Sequence, residues 1–269
     1  MSIVQIIFIY LAGLYAKIQK KFPNVLPSDP LKLTNTPKLP FTKFLMKLKM
    51  HVYTNDFETI IKNELLFFVK NQNELGSHQS IKEMGNILSL LKKTEGIKGD
   101  VIELGIASGG TTIMMARLLK QINSKRKIYG CDTFNGFPYE DKFSRMHSEK
   151  VIGTLSHSLD SVHAMIKKFN VDDKIVLVKG PFEDTLYSEL AEKQFSYVFV
   201  DCDLYDATKY SLDFVWLRLS KNGFIIFDEY EGRPLDMKRS KWGETKAVNE
   251  FCDEKKIKIH LYPEPMLIK

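Results

Sequence analysis

The pattern of hydrophobic and polar positions changes character near residue 99. Upstream, two segments, 56–70 and 79–93, carry apolar side chains at helical spacing. In the second, Ile81, Met84, Ile87, Leu88 and Leu91 form one stripe. Downstream, short β-branched runs alternate with amphipathic stretches. The runs predict strands over 101–104, 127–131, 174–178, 197–200, 223–227 and 258–261, and the stretches predict helices over 111–121, 158–169, 185–192, 207–219 and 245–255. This alternation predicts an α/β fold on a doubly wound, mostly parallel sheet, Rossmann-like, with an N-terminal helical extension. Between 133 and 157 the alternation lapses into an irregular span with Pro138 and Gly153. Loops of that length inside compact domains are usually functional, so a lid is expected there. Pro23, Pro27, Pro30, Pro37 and Pro40 fall within 22–41 and mark an extended linker. The expected organisation is an arm and linker over 1–50, a helical cap region over 51–98, and the main domain over 99–269.

Candidate chemistry lies at the strand ends. The runs 198–200 and 224–227 stop at Asp201 and at Asp228-Glu229, as buried parallel strands do when they deliver carboxylates to the sheet's C-terminal edge. Crowded into one pocket, two such charges about 4 Å apart repel by ~4 kcal/mol at an effective dielectric near 20. A cation is expected there unless a proton or a basic side chain intervenes. Hard oxygen donors without His or Cys favour Mg²⁺ or a similar divalent ion; carboxylates that merely cap the following helices are the competing reading. Asp203 is a further candidate, although strand alternation points it differently from Asp201. The first strand leads into Glu103-Leu-Gly105-Ile-Ala-Ser108-Gly109-Gly110-Thr111. Gly105 permits a tight turn, and Gly109 and Gly110 permit close backbone approach to a ligand at a helix N-terminus. The spacing GxxxGG departs from the GxGxxG of dinucleotide sites and favours a ligand lacking a pyrophosphate, such as S-adenosyl-L-methionine; a glycine-rich turn without a ligand competes. Asp132, ending the second strand, stands where a carboxylate meets ribose hydroxyls in this architecture, with a turn or cap aspartate as the alternative. Phe182 and Glu183 after the third strand offer a ring and a carboxyl group to an adenine. His147, His157 and His163 lie in or near the lid, where a neutral imidazole could accept a substrate proton; a solvated surface role competes for each.

Charge and cysteines narrow the partners. Of the formal net charge of +6, residues 1–50 hold eight lysines against Asp29 alone, so the remainder is close to balance. Basic residues confined to an arm argue against nucleic acid and fit anionic lipid or an acidic partner. The apolar stretch 2–16 is shorter than the ~20 residues of a spanning helix and lacks the leading basic residues of a secretory signal. It is open to three readings: a packing or dimer helix, an interfacial anchor, or a span. Basic residues after it would keep the main domain on the cytoplasmic side of any bilayer. Cys131, Cys202 and Cys252 form no CxxC pair, which points to small buried residues in a reducing cytoplasm.

Taken together, Glu103-Leu-Gly-Ile-Ala-Ser-Gly-Gly110, Asp132-Thr-Phe-Asn-Gly-Phe-Pro138, Gly180-Pro-Phe-Glu-Asp-Thr-Leu186, Asp201-Cys-Asp-Leu-Tyr205 and Asp228-Glu-Tyr230 resemble the macrocin O-methyltransferase (TylF/MycF-type) family over about residues 80–260. The resemblance implies a class I S-adenosylmethionine-dependent, Mg²⁺-dependent methyltransferase acting on a sugar hydroxyl of a small-molecule or glycan acceptor. It implies that Asp201, Asp228 and Glu229 bind the metal, with Glu229 where the family commonly carries Asp, and that His147 is the base beside a catalytic Asp201. It assigns Glu103, Gly105, Ser108, Gly109, Gly110, Thr111, Asp132, Thr133, Phe182, Glu183 and Asp201 to the cofactor. A dinucleotide-dependent oxidoreductase, and a catalytically silent protein of a membrane-associated complex, stand as alternatives. A homodimer through the apolar arm is a further expectation.

Overall fold

The computed structural model of the chain describes residues 57–141, 143, 152–230 and 243–269. The arm, His147 and part of the expected lid lie outside them. The chain divides into two units, 1–62 and 63–269; only 57–62 of the first are described.

The elements in chain order are α1 (Thr59–Leu75), α2 (Ile81–Lys93), β1 (Asp100–Leu104), α3 (Gly110–Gln121), β2 (Ile128–Asp132), α4 (Leu159–Lys168), β3 (Ile175–Lys179), α5 (Phe182–Leu190), β4 (Phe195–Val200), α6 (Tyr205–Arg218), β5 (Leu219–Phe227), α7 (Gly243–Lys255) and β6 (Met266–Ile268). The six strands form one sheet in the order β3-β2-β1-β4-β5-β6. The first five run parallel, and β6 returns antiparallel along β5. Every residue of β4 is buried, the burial that a parallel strand covered on both faces requires. Strand order reverses between β1 and β4, so their loops leave in opposite directions and open a crevice at the carboxyl edge.

Local chemistry sets the boundaries. Ser80 and Glu83 form a reciprocal capping box that starts α2. The buried stripe of α2 includes Met84, Ile87, Leu88 and Leu91, and the Tyr197 hydroxyl donates to the Ile87 carbonyl at 2.9 Å. The helix expected from 185 begins at Phe182, because Pro181 occupies the N-cap position and cannot continue the strand ladder. The last strand is displaced from the expected 258–261 to Met266–Ile268. His260 makes only an isolated bridge to Met266. It is the second arm of this hairpin, burying Met266 and Leu267, that reaches β5. Cys131, Cys202 and Cys252 are free and buried. Among the described residues no helix is long and apolar enough to cross a membrane.

Candidate active site

Register builds the site. Leu104 pairs with Cys131 and with Val200, and Val200 pairs with Phe227, so these four residues form one row across the sheet. The residues that follow them, Gly105, Asp132, Asp201 and Asp228, therefore emerge side by side. The row is held by the Gly105 amide on the Cys131 carbonyl, the Asp201 amide on the Leu104 carbonyl, and the Asp228 amide on the Val200 carbonyl, at 2.9, 2.9 and 3.0 Å. Above them opens a cavity of about 470 Å³.

The glycine loop is shaped by its own chain. Gly105 has φ +87°, and a Cβ there would stand 2.0 Å from the Asp201 carbonyl oxygen. Gly109, at φ +83°, starts α3 in the left-handed conformation. The space beside Gly110 is taken by the Leu75 carbonyl and Ser77, not by an open cradle. Ser108 donates to the Leu75 carbonyl at 2.8 Å, and the Thr111 hydroxyl lies 3.4 Å from that of Ser77. These contacts lay the segment 75–79 across the loop as a roof. Asp132 ties the loop to the second strand: Oδ2 accepts from the Ile106 and Ala107 amides at 2.9 and 3.0 Å, and Oδ1 from the Phe134 amide at 2.8 Å. Thr133 closes the next turn by donating to the Gly136 carbonyl at 2.6 Å.

The acidic wall is poor in counter-charge. Glu103 is 1% exposed, accepts a hydrogen bond from Thr112, and has its pKa pushed up to about 8 by burial and then by Asp132 and Asp228. Burial and then the Asp228, Asp203 and Glu244 carboxyl groups push Asp201 well above the carboxylate range. Asp228 rises to about 6, chiefly through burial, while hydrogen bonds from Gln79 and with Asp201 pull it down. Hard oxygen donors with unfavourable ionisation suit a cation in their chemistry. Among the described residues, however, no three His, Cys, Asp or Glu side chains are arranged as ligands of one ion.

Of the residues expected at the site, Glu103, Gly105, Ser108, Gly110, Thr111, Asp132, Thr133, Phe182, Glu183, Asp201, Asp228 and Glu229 all line this one cavity, and Gly109 caps the helix behind it. His157 lines it too, whereas His163 is exposed on α4. Three further residues were not legible in sequence. Gln79 lines the cavity and donates from Nε2 to Asp228 Oδ1 at 2.6 Å. Glu244, at the start of α7, accepts from the Glu229 amide at 3.0 Å while its Oε2 is buried without a partner among the described residues. The Tyr139 hydroxyl is likewise buried and unpartnered among them. The spacing of apolar residues told roughly where α2 lies, but no local pattern pairs residue 79 with 228 or brings α7 to the β4 loop. That second approach depends on Gly243, whose missing Cβ would meet the Asp203 carbonyl oxygen at 2.4 Å.

The sequence profile of the macrocin-O-methyltransferase (TylF) family matches residues 77–262. The chain is 30% identical over 145 residues to the 8-demethyl-8-(2,3-dimethoxy-alpha-L-rhamnosyl)-tetracenomycin-C 4'-O-methyltransferase of Streptomyces olivaceus, covering 51% of this chain and 54% of that protein. It is 29% identical over 161 residues to the mycinamicin III 3''-O-methyltransferase of Micromonospora griseorubida, covering 56% and 63% respectively. The chain thus spans less than two thirds of the length of these relatives. Among solved structures, the O-methyltransferase NovP has a TM-score of 0.59 at 20% identity, over 84% of this chain and 98% of that one, a likeness of fold.

Proposed function

We propose, from the premise that the chain belongs to the macrocin-O-methyltransferase (TylF) family, that it transfers the methyl group of S-adenosylmethionine to a hydroxyl of a sugar carried by a small molecule or glycan. The observation that carries this reading is the convergence of the glycine loop, Asp132 and the acidic ends of β4 and β5 on one cavity of about 470 Å³, a volume in the range of ~300–1,000 Å³ common to small-molecule sites. In the reaction the sulfonium S–CH₃ bond breaks as the new O–CH₃ bond forms, S-adenosylhomocysteine leaves, and the hydroxyl proton passes to a base. Two lid histidines are candidates for that base: His147, to which the family resemblance points, and His157, which lines the cavity. Asp132 keeps part of its acceptor capacity for ribose hydroxyls beyond its backbone bonds, and Phe182 and Glu183 flank the place of the adenine.

A divalent cation such as Mg²⁺ is the finer part of the reading. Asp201, Asp228 and Glu229 would hold it, supplying a positive charge beside the acceptor oxygen. Support comes from Asp201 and Asp228 lying side by side at the sheet edge, both raised in pKa by burial and then by neighbouring carboxyl groups, an arrangement that a cation would relieve. The apolar, basic arm supports peripheral contact with anionic lipid from the cytoplasmic side, or dimerisation.

Methyl transfer to rhamnosylated small molecules, followed by mass spectrometry with and without EDTA, tests the reading. A mass gain of one methylene on the sugar is expected. Methylation of phenolic acceptors alone would contradict the sugar class, and full activity in EDTA would contradict the cation.

A further inference from the structure

Gln79 combines two features that the reaction described above does not use. It is 5% exposed, and its amide is oriented by donation from Nε2 to Asp228 Oδ1 at 2.6 Å, since a carboxylate can only accept. The other end, Oε1, is shut off from solvent and has no hydrogen-bond partner among the described residues, on a side chain that lines the cavity. A buried acceptor left without a donor is costly and calls for an explanation. The cavity lining includes the carboxyl groups of Glu103, Asp201 and Asp228, and none of its donors, such as Ser77, Thr111 or Tyr139, is bonded to Oε1. No described group reaches Oε1 as a donor, so the missing donor falls to an N–H or O–H group of a ligand.

The position of Gln79 says which part of a ligand it meets. The segment that carries it is fastened over the glycine loop through Ser108 and Thr111, and the side chain crosses from there to the end of β5. It therefore closes the side of the cavity where Asp228 follows β5. A cofactor with an amino-acid end turns the α-ammonium group of that end, not its carboxylate, toward a wall rich in acidic groups. Resting on the cofactor reading above, we propose that Gln79 is a cofactor-positioning residue, whose Oε1 accepts a hydrogen bond from the α-ammonium group of the bound cofactor while its Nε2 holds Asp228 in place. One side chain then links occupancy of the cofactor site to the orientation of a carboxylate at the acceptor side.

Calorimetric titration of the full chain with S-adenosylhomocysteine and with 5′-methylthioadenosine, which lacks the amino-acid end, tests this in Gln79→Met and Gln79→Glu. Gln79→Met preserves shape and removes both polar ends; Gln79→Glu keeps an acceptor oxygen in either protonation state. Gln79→Met is expected to weaken S-adenosylhomocysteine about tenfold or more, the loss of one charge-assisted hydrogen bond, with 5′-methylthioadenosine unchanged. Gln79→Glu is expected to retain most of the S-adenosylhomocysteine affinity. Unchanged affinity in Gln79→Met would overturn the proposal and leave Oε1 to an acceptor hydroxyl. Equal loss of both ligands, or equal loss in both variants, would overturn it in favour of a purely structural amide. Failure of the native protein to bind S-adenosylhomocysteine would remove the cofactor reading itself, a result distinct from the others.

Discussion

Glu103 sits in the middle strand with a backbone register that forces it into the sheet's interior, where Thr112 donates to it and water does not reach. With its pKa near 8, the folded state holds a proton between about pH 4.5 and 8 that the unfolded chain releases. By linkage this group favours folding below that window and loses its contribution as pH rises through it, with a slope of up to ~1.4 kcal/mol per pH unit. Urea melts of the ligand-free protein from pH 5 to 8 should therefore show a decline that Glu103→Gln flattens. Parallel curves for the two proteins would mean that Glu103 is ionised in the fold. The two lid histidines are separable at the same scale. His157→Ala and His147→Ala should differ in their effect on the acid side of the rate profile, and the variant that loses the dependence on an imidazole ionisation identifies the base.

At the scale of elements, the strand ends work because neighbouring loops approach without side chains between them. Gly105→Ala places a Cβ against the Asp201 carbonyl in a left-handed conformation. A loss of at least about 2 kcal/mol is expected, read as a lowered denaturation midpoint. Asp132→Asn offers a donor where the carboxylate accepted three backbone amides. One set of amides is left facing an N–H group, so a loss of about 1–3 kcal/mol and weaker cofactor binding are expected together. Much of this level was legible in sequence. The β-branched runs ending at Leu104, Val200 and Phe227 marked the strand termini within a residue or so, because burial on both faces demands an uninterrupted apolar run. The C-terminal hairpin was not legible, since 258–261 alternates polar and apolar residues as a strand does, 266–268 is a run of only three, and pairing with the edge of β5 decides between them. The roof 75–79 escaped for a similar reason: Gly110 reads as room for a ligand until the Leu75 carbonyl is found in that room.

At the scale of the molecule, a parallel sheet whose order reverses between β1 and β4 gathers carboxylates at or just beyond the ends of β1, β2, β4 and β5 at one edge. Sequence revealed the carboxylates of the strands, because each follows its own apolar run. It could not reveal Glu244 or Gln79, which arrive through tertiary packing. On the reading proposed above, that edge divides its labour, the loop and Asp132 serving the cofactor and Asp201 and Asp228 chiefly the transfer. Asp201→Ala should therefore abolish turnover while leaving S-adenosylhomocysteine affinity within a few-fold of the native value, and equal loss of both would contradict the division. The central claim, that the cavity takes a sulfonium cofactor and not a dinucleotide, is tested most directly by thermal melting of the purified chain with S-adenosylhomocysteine and, separately, with NAD. At about 100 times its dissociation constant the cofactor product adds ~2.7 kcal/mol to the native state, a rise of roughly 5–10 °C for a domain of this size. That rise with S-adenosylhomocysteine and none with NAD is the predicted result; no rise, or a rise with NAD alone, would contradict the account.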